Sequence, residues 1–72
     1  MTDHQIHIDR FIARVQRFMK RHRMAQSTFG RKALGNPKFV YLLLDGRVPR
    51  PATMNAVERF MAEYAEAQKR AA

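Results

Sequence analysis

The sequence predicts an all-α fold, a compact bundle of four helices and at most five, and three features of the chain predict it. In the first half, Ile8, Phe11, Ile12, Val15, Phe18 and Met19 recur at the spacing of one helix face. In the second half, Val57, Phe60, Met61 and Tyr64 repeat the pattern while Glu58, Glu63 and Glu66 fall outside it. Between them, two shorter helical runs are punctuated by Gly35-Asn36-Pro37 and by Gly46, residues that end or begin helices. Seventy-two residues make a single domain, 1–72. A domain of that size buries only about 60% of its unfolded surface, so its stability is modest and dimerisation would add to it.

The first helix is expected from about His4 to Arg23, with Thr2 or Asp3 as its cap and residues 1–3 frayed. Arg10, Arg14, Arg17 and Arg21 follow one another at i+4, i+3 and i+4, so their side chains form a basic ridge that Lys20 and Arg23 extend. Late basic residues also suit the negative end of the helix dipole. The ridge is either a contact for phosphates or a solvated face, and the pattern does not choose between them. A basic amphipathic helix also raises binding to a membrane surface, but the rest of the chain needs the apolar stripe for its core.

Gln26 to Leu34 forms the second helix, with Phe29, Gly30, Ala33 and Leu34 on one face. Gly35 and Asn36 break it. Pro37 suits the first position of a third helix running to Asp45, with Asn36 in front of it to accept a hydrogen bond from a free backbone N–H. Phe39, Val40, Leu43 and Leu44 turn inward, while Lys38, Tyr41, Leu42 and Asp45 lie opposite. Helices this short are unstable alone, so other elements must pack on them. The segment Arg47-Val48-Pro49-Arg50-Pro51 is stiffened by its prolines and tracks over the surface, with Val48 tucked under the domain. Thr53 caps a last helix, about Met54 to Lys69, leaving residues 70–72 loose. This helix closes the core, forms a two-fold contact through Met61 and Tyr64, or does both; its stripe extends beyond what so small a core covers, which favours both.

Composition narrows the function classes. The chain has no cysteine, which removes disulfides, thiolate catalysis and Cys-based zinc sites and suits a reducing cytoplasm. No run approaches the roughly 18 apolar residues of a membrane span, and the amino terminus lacks the order of a secretion signal, so a cytoplasmic protein with no membrane role is expected. His4, His7 and His22 are the only histidines and have no carboxylate partners at ligand spacing; they are read as surface side chains, and no metal is expected. Asp3 and Asp9 are not placed for acid–base chemistry and no nucleophile has an oriented base, so no catalytic residue, cofactor or small-molecule substrate is expected. A chain this short is also expected to enclose no pocket of the ~300 Å³ that substrates usually need.

Charge carries the positive indication. Fourteen Lys and Arg against six Asp and Glu give a formal +8 and a pI near 11.2. Residues 1–52 hold eleven basic and three acidic side chains, whereas residues 53–72 hold three of each, so the whole excess lies in the part that contains the two short helices. Such asymmetry is the expected electrostatic footprint of a nucleic-acid binder, because neutralised phosphates release condensed counterions; the alternative is a basic surface that serves solubility with no polyanion partner.

The unit 26–45, QSTFGRKALGNPKFVYLLLD, resembles the helix-turn-helix of the lambda-repressor and Cro type, the XRE-like domains of small bacterial and phage regulators. In that family the twenty-residue unit carries Gln first, a small residue fifth, and apolar residues at eight or ten, fifteen and eighteen. Here those positions are Gln26, Gly30, Ala33, Val40 and Leu43, followed by Asp45-Gly46 where the family often has Asn-Gly. Phe29-Gly30-Arg31, Pro37, Phe39-Val40 and Gly46-Arg47 also look like a group of very small bacterial DNA-binding regulators.

The resemblance implies a lambda-repressor-like helix-turn-helix bundle that binds double-stranded DNA close to the nucleoid, as a homodimer and more simply as a repressor than an activator. In a helix-turn-helix the second helix enters the major groove, which makes Asn36, Pro37, Lys38, Tyr41 and Leu42 the base-contact candidates. Lys38 would donate to guanine O6 or N7, Asn36 would reach a base or phosphate, and Leu42 would touch a thymine methyl. Tyr41 bonds a phosphate or packs over the neighbouring helix. The phosphate candidates are Gln26 at its helix end, Thr28, Arg31, Lys32, Arg47, Arg50, Arg21 and Arg23. Asp45, repelled by phosphate, ends its helix or pairs with Arg47. The rival classes are an architectural DNA binder and a protein-interaction module such as an antitoxin-like partner or polymerase adaptor.

Overall fold

The computed structural model of the chain describes residues 3–71, with side chains from residue 7 onward. The expected cap at Thr2 or Asp3, the side chain of His4 and residue Ala72 lie outside what is described. Four helices follow in order: α1 (Asp3–Arg21), α2 (Gln26–Leu34), α3 (Phe39–Leu44) and α4 (Pro51–Ala71). Among the described residues there is no strand.

The core is built by the apolar stripes of all four helices. Phe11 and Val15 of α1, Phe29 of α2, Val40 of α3 and Val57 of α4 are fully buried, with Met19, Phe39 and Leu43 beside them. Each such side chain contributes roughly 1.5–3 kcal/mol by leaving water. Among the described residues no polar or charged one is buried, so the core they form carries no desolvation cost from such groups.

α1 stops two residues earlier than expected. Arg23 takes a left-handed φ of 51°, its N–H bonds the carbonyl of Lys20, and the N–H of Met24 bonds the carbonyl of Met19. This pair of bonds is a Schellman closure. It holds an arginine where glycine is the usual residue. α3 closes in the same way: Gly46, at φ 103°, bonds Leu43, and Arg47 bonds Leu42.

α4 differs from expectation at both ends. It begins at Pro51, and the N–H of Met54 bonds the carbonyl of Arg50. Proline is favoured at the first helical position because it has no N–H to leave unpaired. Thr53 therefore lies inside the first turn and is not the cap. The helix continues through Arg70 and Ala71, which were expected to be loose, and Arg70 pairs with Glu66 at 3.7 Å.

The expected dimer residues are engaged within the chain. The Tyr64 ring lies 5.6 Å from Phe18, 5.0 Å from His22 and 5.7 Å from Phe60, and Met61 packs on the core. Tyr64 thus packs against Phe18 and His22 within the chain, while Met61 also borders the open groove between α1 and α4. His22, expected to be an ordinary surface side chain, also stacks 4.4 Å from Phe18.

Candidate nucleic-acid interface

α2 and α3 meet at a corner whose geometry is set by one missing side chain. A Cβ on Gly30 would stand 2.2 Å from the backbone oxygen of Asn36 and 3.3 Å from Cβ of Phe39. The N–H of Asn36 donates to the carbonyl of Gly30 at 3.1 Å. The fifth position of the unit is small because the backbone of the corner lies where a side chain would be. Gly35, at φ 69°, closes α2. Ala25 offers no side-chain cap at the other end, so the first N–H groups of α2 have none from that residue.

α3 starts later than its sequence suggests. Pro37 and Lys38 form a turn in which the carbonyl of Asn36 accepts from Phe39 N–H at 3.2 Å, and regular helix begins at Phe39. Asn36 does take the expected role of acceptor: its Oδ1 receives the Lys38 N–H at 3.0 Å. That use leaves the Asn36 amide chiefly as a donor to anything outside.

Phe39, Val40 and Leu43 face the core, and Asn36, Pro37, Lys38, Tyr41, Leu44 and Asp45 are exposed. Tyr41 is 56% exposed. Two of the leucines exchange the places expected of them. Leu44 is 42% exposed instead of inward, and Leu42 is half-buried instead of outward. Both flank Leu43 about equally far from the inward direction, and the returning 47–50 segment covers only the Leu42 side. Asn36, Leu42, Arg47, Val48, Pro49, Arg50 and Thr53 line a groove there of about 460 Å³. Val48, expected under the domain, is 57% exposed on its rim. Leu44 is the outward residue that periodicity missed.

The expected phosphate contacts divide into two places. Arg31 and Lys32 are exposed at the end of α2, next to the corner before α3, and Arg47 and Arg50 are exposed along the groove beside Leu42. Gln26 and Thr28 are half-buried in the first turn of α2, and Arg23 is exposed in the loop just before it. Arg21 belongs elsewhere: with Arg14 and Arg17 it lines an open groove of about 430 Å³ against Glu58, Met61, Ala62 and Ala65 of α4. Arg14 forms an ion pair with Glu58 across it. The basic ridge thus runs beside α4. The hollows of this surface are open grooves and not enclosed pockets.

Among the described residues no group of three or more His, Asp or Glu is placed to hold a metal ion, and no helix is long and apolar enough to cross a membrane. Comparison with protein-family models, with curated proteins and with solved structures gives no match. What the site can do follows from its own chemistry.

Proposed function

We propose that the chain binds double-stranded DNA sequence-selectively as a small transcriptional regulator of the lambda-repressor type, with α3 as the helix that enters the major groove. The observation that carries this reading is the exposed side of α3 and its leading turn, Asn36, Pro37, Lys38, Tyr41, Leu44 and Asp45, with Arg31 and Lys32 exposed at the end of α2 and Arg47 and Arg50 exposed along the groove beside Leu42. Lys38 and the Nδ2 donor of Asn36 supply polar readout, while the cations fix position on the backbone without reading sequence. Arg23 and the first turn of α2 add phosphate contacts. A repressor is the simpler form, because a bare DNA-binding domain blocks polymerase without further parts. Binding as a homodimer sets half-sites about 34 Å apart, or a multiple of that.

Selection of bound fragments from random duplex DNA tests this, followed by affinities for the selected and random duplexes at one fixed salt concentration and the mass of the protein in solution. The reading requires a preference of about 10³ or more for the selected duplex. Equal affinity for both identifies an architectural binder instead. A stable hetero-complex with no salt-dependent DNA binding identifies an interaction module.

A further inference from the structure

We propose that α3 reads thymine, through an apolar stripe of Pro37, Tyr41 and Leu44 that meets the 5-methyl groups of thymine in the major groove; this rests on the DNA-binding reading above. Tyr41 and Leu44 follow one another at i and i+3 within the helix, Pro37 stands in the turn before it, and all three are exposed. Tyr41 and Leu44 are two of the large hydrophobic side chains that the fold leaves in water, at 56% and 42% exposure. The core does not need them, since Phe39, Val40 and Leu43 already fill the inner face.

Charge defines what covers the stripe. Lys38 is exposed in the turn before the helix, Arg47 and Arg50 line the groove beside Leu42, and Arg31 and Lys32 are exposed at the end of α2, against Asp45 alone on α3 and its leading turn. A partner that satisfies both features is polyanionic at its edges and apolar at its centre. The major groove where thymine lies is such a surface: the methyl is the apolar group among the base edges, with a line of phosphates on each side.

The test titrates the full chain against its selected duplex and against the same duplex with deoxyuridine replacing thymidine, at one salt concentration. Uracil pairs as thymine does and lacks only the methyl. Wild type loses about fourfold in affinity per contacted methyl. Leu44→Gln and Tyr41→Gln, with folding checked by thermal unfolding, each lose part of that uracil penalty. Selective binding with no uracil penalty overturns this inference and leaves the DNA reading intact, and a penalty unchanged in both variants overturns it as well. Absence of salt-dependent duplex binding overturns both, and assigns the face to an acidic protein partner.

Discussion

The Cβ that Gly30 lacks would lie 2.2 Å from the carbonyl oxygen of Asn36, so the backbone of α2 and the corner before α3 are in direct contact. That oxygen is not free to move away, because it also accepts the N–H of Phe39 at 3.2 Å. A methyl group there must separate the two helices or break this bond. Gly30→Ala is therefore expected to destabilise the fold by about 2 kcal/mol, in the range of core overpacking. For a domain of this size that lowers the unfolding temperature by roughly 10 °C. Thermal unfolding measures it, and a change within 2 °C or so would show that the corner is looser than described.

Arg23 gives a prediction of opposite sign. It holds a left-handed φ of 51° in the closure of α1, a conformation that costs an ordinary residue roughly 1–2 kcal/mol and glycine almost nothing. Arg23→Gly should raise stability by about 0.5–1 kcal/mol, after the greater freedom of glycine in the unfolded chain is deducted. Denaturant unfolding reads this directly. If Arg23 also contacts phosphate, the same variant binds all duplexes more weakly while being more stable.

Asn36 has a structural role separable from any contact with DNA. Its Oδ1 accepts the Lys38 N–H at the start of the α3 turn, so Asn36→Ala should cost about 1 kcal/mol, as loss of a helix-capping acceptor does. Asn36→Asp keeps the acceptor and should retain most of the stability, yet place a negative charge among phosphates and weaken binding. Paired stability and affinity measurements on the two variants separate cap from contact.

Tyr64 distinguishes an internal role from a dimer contact. Its ring touches Phe18, His22 and Phe60 within the chain, so Tyr64→Ala should lower stability by about 2 kcal/mol, through lost burial and ring contacts. The loss should be independent of protein concentration. A loss that fades as concentration rises would place Tyr64 between two copies instead.

Much of this architecture was legible in the sequence. Residues of the α1 and α4 stripes recur as core, because helical spacing fixes which side of a long helix is apolar. The bounds of α2 and the need for a small residue at Gly30 were also readable. The errors cluster where several neighbours compete for a residue. Leu42 and Leu44 are equivalent by periodicity, and only the path of the 47–50 segment decides which is covered. Thr53 looks like a cap until Pro51 takes the first helical position. Tyr64 looks surplus to the core until the rings of Phe18 and His22 are seen beside it. The ridge at Arg14, Arg17 and Arg21 was visible as a line of charge, but not the helix it runs beside.

The central claim, that the exposed side of α3 contacts a DNA duplex, is tested most directly by following the backbone amide resonances of the ¹⁵N-labelled chain during titration with its selected duplex. The largest shifts should fall on Asn36, Lys38, Tyr41 and Leu44, with smaller ones at Arg31, Lys32, Arg47 and Arg50 and little change along the 62–70 stretch of α4. Shifts centred instead on Arg14, Arg17, Arg21 and the facing residues of α4, with α3 unmoved, would contradict it.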